Sequence, residues 1–228
     1  YYGLVQVAKY IPGHIFHYGG RQLVFIKCGI SQARVASVTI IEIITQLFAA
    51  FTLSLFIFAE LGDLIASATK IPVTAFGGLL FIAAISVFLI WAIKKNKLSV
   101  HVRKEFVKPF LISFFMQLAY FLLQGVILSL LISIVSEAEI TMAFVCEIVM
   151  RYAFAWLLGY IAIGSPAGLG VRETALVFIL QPLIGKESSA AAAILMRMIQ
   201  LLGDVGFSLV LFVIWHFSGL SRKRVYDR

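Results

Sequence analysis

The chain has 228 residues, of which 61% are hydrophobic and 13% are charged, and its formal net charge is +8. An average globular protein has about a quarter of its residues charged, so this chain has too few polar residues to cover a soluble core. Most Lys and Arg residues lie in short clusters between apolar runs, a pattern that marks membrane topology and excludes a nucleic-acid-binding role. The composition therefore predicts an integral membrane protein built from α-helices.

Residues 1–34 precede the first long apolar run and contain the basic residues Lys9 and Arg21. We predict that they form a membrane-associated or re-entrant segment. The succession of charged, apolar and small residues that is typical of a secretory leader is not seen at this end. We therefore expect that the upstream end of the protein is missing from this sequence or has been processed.

Five later runs are apolar enough to cross a bilayer as helices, which takes roughly 20 residues. They cover approximately residues 35–61, 72–93, 109–135, 140–163 and 188–217, and a basic tail follows at 218–228. Pro109 is expected in the first turn of its helix, where the absent N–H costs little. We predict a transmembrane helical domain over residues 35–217.

Residues 164–170 read GSPAGLG and interrupt this apolar pattern. Glycine and proline disfavour a regular helix there, and the apolar stretch behind the break, 173–184, has only half the length of a span. Exposed irregular backbone is not tolerated in lipid. We therefore expect the break to be enclosed by protein or to line a wet cavity.

The segment before the first span, the loop at 94–108 and the tail are all rich in Lys and Arg, whereas the other connections are not. The positive-inside rule places these basic segments in the cytoplasm. Five full spans would leave the two ends on opposite sides, so the broken segment 164–184 must also cross. The prediction is an all-α, polytopic transmembrane helix bundle in the inner (cytoplasmic) membrane, with about six crossings, one of them discontinuous, and with both ends cytoplasmic.

Ionisable residues within or at the edge of these spans would each cost roughly 2.5 to 3.5 kcal/mol at mid-helix without a partner. They are Glu42, Glu147, Arg151, Arg172, Glu173, Arg197 and Asp204. Glu147 and Arg151 share a helix face and can pair locally. If their helix packs against the last span, Glu147 meets Arg197 instead. Arg151 then meets Asp204 in the same way. The charges either neutralise one another and set helix register, or they face a cavity.

Gly168 and Gly170 lead directly into the half-length helix, where Arg172 and Glu173 follow. Free N–H groups at a helix N-terminus, together with a guanidinium, suit a phosphate or a carboxylate. Glu173 would compete with such an anion by capping the helix itself. A purely structural kink needs the same glycines, so an anion site and a kink both stay open.

Two runs, KYIPG at 9–13 and SPAGLGVRE at 165–173, occur in this chain together with Arg21, Glu42 and Arg197. The combination resembles the transmembrane region of lysylphosphatidylglycerol synthases. Stand-alone relatives of that region are described as flippase-like membrane proteins.

The family's P-x-G-x-G-x-R-E pattern matches from Pro166 to Glu173, with Ala167 at a position where glycine is common. Its K-x-x-P-G element matches from Lys9 to Gly13. The resemblance covers nearly the whole chain and does not include the soluble aminoacyl-transferring domain of the full synthase. We therefore expect a transporter and not an enzyme of aminoacyl transfer.

The resemblance implies movement of a phosphate-containing polar lipid between leaflets, either an aminoacylated phospholipid or a lipid-linked glycan. The candidate residues for its headgroup are Lys9, Arg21, Glu42, Glu147, Arg151, Gly168, Gly170, Arg172, Glu173, Arg197 and Asp204. The arginines would meet the phosphate, and the carboxylates would balance the charge. Two alternatives stay open, a membrane enzyme that acts on a lipid-linked substrate and a non-catalytic membrane partner of an envelope glycosyltransferase.

No catalytic set, metal cluster or cofactor motif is legible in the sequence, so we expect no cofactor and no catalytic metal. The expected partners are membrane lipids, in particular an anionic phospholipid or a lipid-linked headgroup. An enzyme of envelope biosynthesis is a further expected partner, and nucleic acid is not expected.

Overall fold

The computed structural model describes residues 20, 22, 25–26, 29–69, 100–162 and 168–217. These residues form α-helices and no strand, in agreement with the predicted all-α class. The helices are α1 (Gln32–Thr69), α2 (Val100–Ser136), α3 (Met142–Ile161), α4 (Val171–Ile184) and α5 (Lys186–Phe217).

Four helices in the described part of the chain are long and apolar enough to cross a membrane, over Gln32–Leu55, Lys108–Ser136, Met142–Ile161 and Lys186–Ile214. The predicted span at 72–93 lies outside the described residues. Helix α4 has 14 residues. At about 1.5 Å per residue, it is shorter than the roughly 30 Å apolar core of a bilayer. The four helices are compatible with an integral membrane protein. The predicted number of about six crossings is not confirmed.

Two helix boundaries differ from the predictions. Helix α2 begins at Val100, well before the predicted start at 109, so Pro109 lies inside the helix and not in its first turn. Helix α1 continues to Thr69, beyond the predicted end at 61. The predicted position of Pro109 was wrong, whereas the run 109–135 agrees with the span Lys108–Ser136. Charge and hydropathy mark where a chain leaves the apolar layer and not where a helix ends. A helix continues past that point when its residues, such as Arg, Lys and Glu before Pro109, are good helix formers.

The chain divides into two compact units. The first comprises residues 1–40, 130–139 and 158–228, and the second comprises residues 41–129 and 140–157. Helices α4 and α5 belong to the first unit, and most of α1, α2 and α3 belong to the second. The predicted division at 34/35 and at 217/218 stays a prediction, and the tail 218–228 lies outside the described residues.

Aromatic rings join the helices of the second unit. The ring centroids of Phe48 on α1 and Phe114 on α2 are 5.3 Å apart. Those of Phe121 on α2 and Trp156 on α3 are 5.4 Å apart and nearly perpendicular. Edge-to-face contacts of this kind add to the burial of apolar area. They join α2 to each of the other two helices.

Small and hydroxyl-bearing residues bring these helices close together. A Cβ added at Gly125 of α2 would overlap Val149 of α3, so glycine is what permits this approach. The hydroxyls of Thr45 on α1 and Ser113 on α2 are 2.9 Å apart. Close approach at glycine and hydrogen bonds between hydroxyls are typical of helix packing in lipid, where no hydrophobic force drives helices together.

Large apolar side chains remain exposed along the described helices. Phe115 on α2, Phe178 on α4 and Leu202 on α5 are 63%, 70% and 70% exposed. Only 6% of the apolar stretch of α5 is buried against other parts of the protein. Exposure of this extent is costly in water and is expected where helices face lipid tails.

Helices α4 and α5 pack against each other and are separated by Gly185 alone. Gly185 has a φ of 77°, a conformation that glycine adopts without steric cost. Its N–H donates to the carbonyl oxygen of Gln181 at 3.0 Å. Glu173 and Arg197 lie equally far along the chain on either side of Gly185 and form an ion pair, so the two helices run antiparallel.

Candidate functional site

The N-terminus of α4 is capped from within the helix. Gly170, the residue before the first turn, has a φ of 86°, and this backbone conformation favours glycine. Its N–H donates to the Oε2 atom of Glu173 at 2.7 Å, and its carbonyl oxygen accepts the first helical hydrogen bond from Thr174 at 2.9 Å. A glutamate three residues into a helix is the residue type that makes this contact. The cap predicted for Glu173 is confirmed, and it occupies one donor that an external anion would use.

The same carboxylate also faces the neighbouring helix. Its other oxygen, Oε1, lies 3.4 Å from the Nε atom of Arg197 on α5, and the two side chains are 22% and 11% exposed. At about 1.5 Å per residue, Arg197 lies roughly 17 Å along α5 from Lys186, well inside the apolar stretch Lys186–Ile214. Glu173 thus joins the start of a short helix to a cation in the interior of a long one.

Arg172, beside Glu173, packs on the last turn of α3. A Cβ added at Gly159 would lie 2.8 Å from the Cβ of Arg172. Gly168 is buried, with a φ of 70°, and a Cβ added there would lie 3.0 Å from the carbonyl oxygen of Gly159. The predicted glycine-rich break is therefore irregular at Gly168 and Gly170, and the residues 163–167 lie outside the described part of the chain.

The first turn of α4 is consequently held from two directions. Arg172 and Glu173 are adjacent, and adjacent residues project about 100° apart around a helix. The stem of Arg172 rests on α3, and the carboxylate of Glu173 faces Arg197 of α5. The structure thus brings together five predicted site residues, which are Gly168, Gly170, Arg172, Glu173 and Arg197.

A second ion pair lies on α3 in the second unit. The Oε1 atom of Glu147 accepts hydrogen bonds from Nε and Nη2 of Arg151, at 3.1 and 2.6 Å. Arg151 is 8% exposed, and the side chain of Glu147 is 30% exposed. The local pairing predicted from the four-residue spacing is confirmed, in the favourable order with Glu first. It compensates a cation that is costly to bury alone.

The crossed pairs stay a prediction. Glu147 and Arg151 belong to the second unit, whereas Arg197 and Asp204 belong to the first. The backbone carbonyl oxygen of Asp204 accepts a hydrogen bond from the hydroxyl of Ser208 at 2.8 Å.

Glu42 lies half-buried on α1, one turn before the Thr45 hydroxyl that meets α2. Glu42 belongs to the second unit, whereas the cluster at the start of α4 belongs to the first. The remaining two candidates, Lys9 and Arg21, lie outside the described residues.

Gly159 is the functional candidate that sequence reasoning missed. It sits inside an ordinary apolar helix, where a single glycine carries no motif. The only signal of its role is the close approach of another segment, which a sequence does not display.

A cleft of about 510 Å³ lies at the opposite end of α4. It is lined by Val135, Ser136, Glu137, Ala138, Leu183, Ile184 and Ser188. Its charged lining residue is a carboxylate, which would repel a phosphate. We therefore assign the candidate site to the cluster at the start of α4 and not to this cleft.

Comparison with protein-family models, with curated proteins and with solved structures found no match for this chain.

Proposed function

We propose that this protein is a flippase-like translocator of a phosphate-containing polar lipid in the inner membrane. The observation that carries the proposal is the ion pair between Glu173, at the start of the short helix α4, and Arg197, inside the apolar stretch of α5. Broken helices with charged groups at the break are a recurring arrangement of membrane transporters. Charges at such depth are costly and mark a substrate pathway more often than ordinary packing.

The chemistry of the cluster suits a phosphate. Arg172 and Arg197 provide guanidinium groups, which bind phosphate oxygens through paired hydrogen bonds. The backbone N–H groups at the start of α4 add donors at the positive end of the helix dipole. Glu173 now occupies part of this position, so an arriving phosphate replaces one anion by another and leaves the arginines compensated.

The resemblance to the transmembrane region of lysylphosphatidylglycerol synthases narrows the proposal to an aminoacylated phospholipid or a lipid-linked glycan. Gly168, Gly170, Arg172 and Glu173 of this cluster match the family's pattern, and Pro166 matches it in the sequence. Both proposed lipids have a headgroup joined through phosphate, so one cation site serves either. The proposed partners are accordingly membrane lipids, with an envelope-biosynthesis enzyme as supplier or consumer of the lipid.

Reconstitution of the purified protein into phosphatidylcholine vesicles tests this function. The vesicles contain a trace of fluorescent phosphatidylglycerol or of its fluorescent aminoacylated form, and a membrane-impermeant quencher then reports the fraction in the outer leaflet. Transbilayer movement without chemical change is the expected result. A modified headgroup would favour the membrane-enzyme alternative. Neither movement nor modification would favour the non-catalytic membrane partner of a glycosyltransferase.

Arg172→Ala tests the cluster itself. Hydrogen bonds to charged groups contribute about 1.5 to 3 kcal/mol, so loss of this guanidinium is expected to slow transport of the anionic lipid roughly 10- to 100-fold. Arg34→Ala, which removes an exposed arginine near the start of α1, is the matched control and should transport normally. Unimpaired transport by Arg172→Ala would refute the role of this arginine.

A further inference from the structure

We infer that Gly159 positions Arg172 for recognition of an anionic lipid headgroup, an inference that rests on the proposed function. Gly159 is buried in the last turn of α3, two residues before the helix ends at Ile161. It carries no charge and no hydrogen-bonding side chain. Its effect on a headgroup is therefore exerted through the residue that packs on it.

The contact between Gly159 and Arg172 leaves no room for a side chain. A Cβ at position 159 would lie 2.8 Å from the Cβ of Arg172, 3.4 Å from its Cα and 3.5 Å from its Cγ. The nearest of these atoms are the backbone and the first carbon of the side chain, which rotamer changes do not move away. Alanine at 159 therefore has to displace the first turn of α4.

Gly168, a residue of the glycine-rich break, also packs against Gly159. A Cβ at Gly168 would lie 3.0 Å from the carbonyl oxygen of Gly159 and 3.3 Å from its Cα. The backbones of these two glycines thus approach each other directly. Gly159 supports α4 at two points, one just before the helix and one in its first turn.

This support decides where the guanidinium of Arg172 is placed. Glu173, which projects about 100° from Arg172, holds the same turn through its ion pair with Arg197, so a shift imposed at Gly159 disturbs that pair. Paired hydrogen bonds from a guanidinium to a phosphate require fixed geometry. A displacement of about 1 Å is enough to weaken such recognition strongly.

The measurement compares phosphatidylglycerol with phosphatidylcholine, which share a phosphate and differ in net charge. The purified full chain in detergent is titrated with each lipid, and the rise in melting temperature reports binding. The variants are Gly159→Ala, Arg172→Gln, and both changes together. Gly203→Ala is the matched control, because a Cβ at that helical glycine meets no atom within 4 Å.

We expect Gly159→Ala to weaken the preference for phosphatidylglycerol about tenfold, in the range of one lost charge-assisted hydrogen bond. In the Arg172→Gln background, the same change should have no further effect on that preference. Gly203→Ala should behave as the wild type does. Equal weakening for both lipids, or an undiminished effect of Gly159→Ala without Arg172, overturns the inference.

A second comparison applies if Gly159→Ala accumulates poorly. Arg172→Gly removes the Cβ that a new side chain would meet, whereas Arg172→Lys keeps it. Accumulation restored by Arg172→Gly and not by Arg172→Lys supports the contact, and restoration by neither overturns it. Lipid binding and accumulation are measured here without transport. Failure of the proposed function would therefore be seen separately, in the vesicle experiment, where the wild-type protein would move no lipid.

Discussion

At the scale of single residues, Glu173 has two roles that oppose each other. One carboxylate oxygen accepts the N–H of Gly170, and the other lies against Arg197. Both contacts stabilise the helix start and the α4–α5 pair. The same negative charge repels the phosphate for which the surrounding cations are suited. Stability and substrate affinity are therefore expected to change in opposite directions when this side chain is altered.

Substitutions at Glu173 separate its two contacts. Glu173→Gln keeps an oxygen that can accept the Gly170 N–H, whereas Glu173→Ala loses it. The alanine variant should therefore be less stable than the glutamine variant by about 1 kcal/mol, the usual contribution of a helix cap. Both variants remove the competing charge and should bind phosphatidylglycerol more tightly than the wild type. Thermal unfolding in detergent, with and without the lipid, measures both quantities. Weaker lipid binding by Glu173→Gln would contradict the competition.

The pair on α3 gives a second prediction at this scale. Glu147→Ala leaves the buried Arg151 without the carboxylate that accepts two of its N–H groups, and should destabilise the protein by about 1 to 3 kcal/mol. Combining it with Arg151→Ala should cost less than the sum of the single changes, because both changes remove the same ion pair. Glu139→Ala, in the exposed connection before α3, is the control. Additive effects would show that the pair is not coupled.

At the scale of elements, helix separation depends on particular glycines. Gly125→Ala would drive a Cβ into Val149, including its backbone, and should destabilise the packing of α2 on α3 by about 1 to 3 kcal/mol. Gly203→Ala meets no neighbouring atom and should be neutral or slightly stabilising, since alanine favours a helix. Thermal unfolding in detergent compares the stability of the two variants, one at a glycine in close contact with a neighbouring helix and one at a glycine with free space around it. Equal stability of the two variants would contradict the close approach of α2 and α3 at Gly125.

At the scale of the whole molecule, the topology depends on whether α4 crosses the membrane together with the break that precedes it. Its 14 residues are too few to span alone. Its antiparallel packing on α5 turns the chain back at Gly185. The predicted cytoplasmic position of both basic ends would require a crossing by this segment. We propose that the turn at Gly185 lies outside and that both ends lie in the cytoplasm.

Cysteine labelling tests this topology. In a background with Cys28→Ser and Cys146→Ser, Lys186→Cys beside the Gly185 turn should react with an impermeant maleimide in right-side-out membrane vesicles. Glu139→Cys, in the connection between α2 and α3, should label from the same side and serves as the control. Labelling of Lys186→Cys only in inside-out vesicles would place the turn in the cytoplasm and remove the sixth crossing.

Composition and apolar run length by themselves determined the helical membrane class, because a bilayer selects for a local property, the hydropathy of about 20 successive residues. The pairing of Glu147 with Arg151 was also predictable, since both lie on one helix at a spacing that fixes their contact. The irregular backbone at Gly168 and Gly170 followed from glycine content.

Only the tertiary structure decided which partner Arg197 has and what Gly159 does. The Glu173–Arg197 contact depends on α4 and α5 turning back at Gly185, a long-range consequence that no local pattern encodes. The approach of Arg172 to Gly159 depends in turn on how the first turn of α4 packs on α3. Local hydropathy and spacing define helices and pairs within them, whereas contacts between helices arise from the geometry of the turns that join them.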